Sequence, residues 1–82
     1  MKIMITGGAG FIGSHLCDEF VGNENQVIVL TRNSSSLDNI SHLNDKVIVE
    51  RVDITDHDLL GAVIEKYRPE TIIHLAGETS HS

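Results

Sequence analysis

Thr6-Gly7-Gly8-Ala9-Gly10-Phe11-Ile12-Gly13 follows a short β-branched run, Lys2-Ile3-Met4-Ile5-Thr6, and opens an amphipathic one. Two glycine spacings fit: Gly8, Gly10 and Gly13 match GxGxxG, and Gly7, Gly10 and Gly13 match GxxGxxG. Glycine lets the chain turn sharply and approach an anion without a Cβ in the way. The amino end of the helix that follows offers unpaired N–H groups and a partial positive charge, so the expected ligand is a pyrophosphate. Gly13 would let that helix lie close against a sheet. The competing reading is a plain strand-to-helix turn, for which one or two glycines suffice.

Two kinds of apolar pattern alternate along the chain. Gln26-Val27-Ile28-Val29-Leu30, Lys46-Val47-Ile48-Val49-Glu50 and Thr71-Ile72-Ile73-His74-Leu75 resemble the first run: short, β-branched and almost continuously apolar. Strands covered on both faces of a parallel sheet have this composition. Ile12, Leu16, Cys17 and Phe20 recur at helical steps and predict a helix from about Gly10 to Val21, ended by Gly22 and Asn23. Leu59, Leu60, Val63, Ile64 and Tyr67 predict a second, opened by a capping box in Thr55-Asp56-His57-Asp58 and stopped by Pro69. Leu37, Ile40 and Leu43 recur every third residue in an otherwise polar stretch, which allows only a short helical piece. The sum is an α/β, doubly wound unit: a four-stranded parallel sheet in the order 3-2-1-4 with helices on both faces. Its ligand crevice lies between the first and fourth strands, at their carboxyl ends.

With 82 residues there is chain for one domain, and the net charge of −6 disfavours nucleic acid as a partner. Cys17 is the one cysteine, so neither a disulfide framework nor a cysteine zinc site is expected, and a reducing, cytoplasmic setting fits. No apolar run approaches the roughly 20 residues of a membrane span, and the turn at Gly7 arrives too early for a signal peptide. His15, His42, His57, His74 and His81 show no metal-ligand spacing, and His74 reads as a core histidine within a buried strand.

The TGGAGFIGSHL at Thr6 to Leu16 resembles the signature of the extended short-chain dehydrogenase/reductase superfamily, in particular its nucleotide-sugar epimerases and dehydratases. Val52-Asp53-Ile54-Thr55-Asp56 is similar to that family's adenine-contacting segment, and His74-Leu75-Ala76-Gly77 to its HLAA-type turn beside the cofactor. The resemblance implies a partial Rossmann fold and an NAD(P) site formed by Gly7, Gly10, Phe11, Ile12, Gly13, Arg32, Asn33, Ser34, Asp53, Ile54, Leu75, Ala76 and Gly77. On the residues themselves Asp53 has two open roles, accepting an adenine amino group or capping the turn before the second helix.

An acidic residue about 20 positions past the glycines usually holds the ribose of NAD. Here Leu30-Thr31-Arg32-Asn33-Ser34 contains none, and Arg32 with the serines at 34 to 36 suits a 2′-phosphate. The expectation is NADP first and NAD second; the Arg-x-Ser-Ser run also resembles the GDP-mannose dehydratase branch, which uses NADP. The family's acid/base set is a Tyr with a Lys four positions on, but Thr71 stands four positions after Tyr67, whose expected role is packing. No catalytic or metal residue is therefore assigned. Residues 1–82 are expected to be the amino-terminal part of a cofactor domain, with the catalytic and sugar-nucleotide parts elsewhere. A non-catalytic NADP sensor, or a module that self-associates through the edge of the fourth strand, are the alternatives.

Overall fold

The computed structural model describes residues 1–7, 10–32, 38–43 and 45–75. Strands β1 (Lys2–Thr6), β2 (Gln26–Thr31), β3 (Val47–Arg51) and β4 (Thr71–His74) form one parallel sheet in the order β3-β2-β1-β4. Helix α1 (Phe11–Gly22) joins β1 to β2, a 3-10 segment (Asp38–Leu43) lies between β2 and β3, and α2 (His57–Tyr67) joins β3 to β4. This is the expected topology, and the strand period of two divides its core. Ile3, Ile5, Val27, Val29 and Val47 pack with Cys17 of α1 and with Ile40 and Leu43 on one face. Met4, Ile28 and Leu30 pack with Val52 and with Val63 of α2 on the other. Each such aliphatic side chain contributes about 1.5–3 kcal/mol by leaving water. Burial also pushes the Cys17 thiol up to about 11, with Asp18 adding to the effect, so at neutral pH it is a packing group rather than a nucleophile.

Three details differ from the sequence reading. Ile12 and Leu59 are exposed although helical spacing puts both on apolar stripes; each lies in the first turn of its helix, and the buried line of α1 begins instead at Gly13, Ser14 and Cys17. The capping box is incomplete. Asp56 alone caps α2, accepting from the Leu59 N–H at 3.2 Å; Leu59 stands where a Glu or Gln would return the bond, and the Thr55 hydroxyl donates to Asp53 instead. The fourth strand is not covered on both faces: Thr71, Ile72 and His74 are exposed. Helix α2 packs on side chains from β1, β2 and β3, so only Ile73, which turns to the α1 side, gains substantial cover.

The carboxyl end of α2 closes through Arg68, in the left-handed region at φ 49°, just before Pro69. Lys2 Nζ donates to the Tyr67 carbonyl at 2.8 Å and so satisfies one last-turn acceptor. Tyr67 packs against the α2-side core, as expected, and its hydroxyl also donates to Glu50 Oε2, with Lys66 Nζ 3.3 Å from the same oxygen. The Tyr67 hydrogen bond, then Lys66, hold the Glu50 carboxyl below its usual 4.5 against the opposing effect of burial. A carboxyl with a lowered folded value stabilises the fold above its unfolded value and loses that contribution as pH falls through the folded one. Acid unfolding followed by circular dichroism should therefore show wild-type stability declining below about pH 4.5 more steeply than in Tyr67→Phe. Equal slopes in the two proteins would remove Glu50 from the acid response.

Candidate dinucleotide site

The sheet brings the carboxyl ends of β1 and β4 side by side, and the glycine turn leaves from the first of them. Gly7 adopts φ 78°, a conformation that favours glycine, and its N–H donates to Leu30 O at 2.9 Å. The Gly10 N–H then donates back to Gly7 O at 3.2 Å, closing the turn. Gly10 is the N-cap of α1 with extended backbone, φ −74° and ψ −179°, and supplies no side-chain cap; no acidic residue lies in the first turn. Helix α2 presents the opposite arrangement, with Asp56 as cap and Asp58 in its first turn. One helix carries its own anion at its amino end, and the other, among the described residues, carries none.

A Cβ built on Gly10 would lie 3.5 Å from Gly7 O, an ordinary contact, so nothing among the described residues demands glycine there. Phe11 and Ile12 flank the open end and are exposed, with the Phe11 ring edge-on to His15 at 4.6 Å between centroids. Gly13 is buried on the inner side of α1, as close packing on the sheet requires, and the Ser14 hydroxyl donates to Phe11 O at 2.8 Å.

At the carboxyl ends of β2 and β3 a polar group forms around Arg32 and Asp53. Asp53 Oδ1 accepts from the Thr55 N–H at 2.9 Å and from the Thr55 hydroxyl at 2.7 Å. These two bonds, then the nearby Arg32 charge, hold its carboxyl below the usual range. The turn role is thus met by Oδ1 alone, and no bond to Oδ2 is formed among the described residues, so the adenine-contacting role stays open to that oxygen. Ile54 beside it is half-buried. Arg51, which sequence reasoning did not single out, donates from Nη1 to the Arg32 carbonyl at 3.1 Å and braces the chain where it leaves β2. Only the parallel pairing of Thr31 with Arg51 reveals this, and spacing along the chain does not.

Leu75 is half-buried against the α1-side core, and its N–H donates to Thr6 O at 3.0 Å. His74 is not a core residue. It occupies an even position of β4, on the side α2 leaves uncovered, and its Nδ1 pairs with Thr6 Oγ1 at 2.8 Å. Asn33, Ser34, Ala76 and Gly77, with Gly8 and the serines at 35 and 36, lie outside the described residues. The structure therefore brings Gly7, Gly10, Phe11, Ile12 and Gly13 together at one helix end, places Leu75 just past the end of the strand beside it, and sets Arg32, Asp53 and Ile54 at the other strand pair.

Comparison with known proteins agrees with this fold. The dTDP-glucose 4,6-dehydratase of Haemophilus influenzae is 36% identical over 86 residues, which cover 96% of this chain and 25% of that protein. A UDP-glucose 4-epimerase from Thermotoga maritima, solved with UDP-glucose, superposes with a TM-score of 0.84 at 38% identity, over 96% of this chain and 25% of its own. A dTDP-glucose 4,6-dehydratase from Bacillus anthracis, solved with NAD, gives a TM-score of 0.85 at 28% identity, over 98% of this chain and 28% of its own. The chain thus spans about a quarter of the length of the relatives it matches. Residues 4–81, from the first strand through the glycine turn to the segment after β4, match the model of the GDP-mannose 4,6 dehydratase family, and the chain belongs to that family.

Proposed function

We propose that these 82 residues are the cofactor-holding part of a nucleotide-sugar dehydratase or epimerase that works in the cytoplasm. The observation that carries the reading is the contrast between the two helix ends: α1 opens without a cap beside the Gly7 turn, whereas α2 is capped by Asp56. A dinucleotide pyrophosphate supplies the missing charge at α1. Phe11, Ile12 and Leu75 would border it, and Asp53 Oδ2 with Ile54 would meet its adenine. Such a cofactor takes a hydride from the sugar and returns it within one cycle, while the chain described here binds and orients it.

Arg32 directs the choice of cofactor toward NADP. It is the cation at the end of β2 where NAD sites place an acid, and its brace from Arg51 holds the backbone from which it projects. NAD is the second reading, favoured by the dehydratase neighbour solved with it. Calorimetric titration with both cofactors separates them. Loss of a charged hydrogen bond to a 2′-phosphate is worth about 1.5–3 kcal/mol, so Arg32→Ala should weaken NADP about ten- to a hundredfold and leave NAD within about twofold. Tighter binding of NAD that is indifferent to Arg32→Ala would overturn the NADP assignment.

A further inference from the structure

One hydroxyl ties the two strand ends that border the crevice. Thr6 ends β1, is 3% exposed and stands opposite His74 in the parallel register. Its Oγ1 pairs with His74 Nδ1 at 2.8 Å and accepts from the Leu75 N–H at 3.1 Å, while its carbonyl accepts from that same N–H at 3.0 Å. The next residue is Gly7, which opens the phosphate turn and is fixed to β2 through Leu30 O. A buried side chain thus connects the first residue of the turn to the segment that carries Leu75, and the exposed imidazole of His74 completes the joint.

Sheet stability alone gives a weak account of that imidazole. Backbone bonds already fix the register of β4 on β1, and a ring on an uncovered face removes little apolar surface from water. We infer that His74 is a positioning residue for dinucleotide binding: through the Thr6 hydroxyl it holds the Gly7 turn and the Leu75 strand end at the separation the cofactor needs. The inference rests on the dinucleotide reading above. It adds a residue that never touches the pyrophosphate yet sets how tightly that group is held.

The test is calorimetric titration of the full chain with NADP and NAD, with the unliganded melting temperature of every variant measured beside it. His74→Leu and Thr6→Val should each weaken the better-bound cofactor about fivefold, the effect of one neutral hydrogen bond. Combined, they should weaken it no more than either alone, because both break the same joint. His74→Asn, which keeps a polar atom near the Nδ1 position, and Thr6→Ser, which keeps the hydroxyl, should recover most of the affinity. The nitrogen-15 resonance of His74 Nδ1 should also move when cofactor is added, a response that a purely structural histidine would not give. Wild-type affinity in His74→Leu, or additive losses in the double variant, would overturn the positioning role while leaving the dinucleotide reading intact. Failure of the wild-type chain to bind either cofactor would overturn that reading and this inference together.

Discussion

Gly10→Asp should make the unliganded protein more stable and abolish its binding of dinucleotide. Gly10 is the N-cap of α1, with extended backbone that any residue adopts, and among the described residues a Cβ there would meet only Gly7 O at 3.5 Å. Asp is among the best residues for this position. Its carboxylate would accept from the first-turn amides and complement the helix dipole, a gain of about 0.5–1 kcal/mol. For a domain of this size that corresponds to a rise of a few degrees, about 4–8 °C per kcal/mol, readable by thermal denaturation. The same carboxylate would occupy the place of the pyrophosphate and repel it, so the dissociation constant should rise more than about a hundredfold, by analogy with the cost of setting like charges together in a dry site. Gly10→Val tests the steric half alone: binding should be lost without the gain in stability. If Gly10→Asp bound cofactor as the wild type does, the open helix end would not be the phosphate site. The glycine is then best understood as stability given up for function, since a better cap is one substitution away.

Much of this was legible beforehand because the fold depends on pattern. Four β-branched runs and two helical stripes mark the elements, right-handed crossovers with a reversal after the third strand order the strands 3-2-1-4, and the glycine spacing marks the turn in its strand-to-helix context. What escaped the sequence depends on register and on helix ends. Ile12 and Leu59 keep helical spacing yet stay exposed, because a first turn precedes the point at which its helix settles on the sheet. Thr55 and Asp56 together suggest a capping box, but the return bond needs a polar side chain where Leu59 stands. His74 looks buried in an apolar run, and its exposure follows from which strands α2 spans. The contacts of Arg51 with the Arg32 carbonyl and of His74 with Thr6 join residues 19 and 68 positions apart, and only the parallel pairing of β2 with β3 and of β1 with β4 makes them neighbours.

Ile28→Ala should destabilise the chain strongly, and dinucleotide should offset most of the loss. Ile28 lies in β2, flanked by β1 and β3, is fully buried, and packs with Met4, Leu30 and Val63 beneath α2. Truncating it removes apolar burial and leaves a cavity, a loss of about 2–5 kcal/mol, from a domain whose total stability by size is on the order of 4–12 kcal/mol. Urea denaturation should show the midpoint falling in proportion to that loss at unchanged slope. Ile72→Ala, the same change on the exposed β4, should cost less than about 1 kcal/mol, because that residue is already 46% exposed. Equal losses at the two positions would mean that the sheet is not covered as described. Cofactor at about a hundred times its dissociation constant adds about 2.7 kcal/mol to whichever form binds it, enough to offset most of the Ile28→Ala loss. In Gly10→Asp/Ile28→Ala the same addition should restore nothing, since the ligand has no site to occupy. Rescue of the single variant without rescue of the double would tie stabilisation of the whole sheet to one uncapped helix end, because the cofactor can stabilise a distant core only by binding the folded chain there.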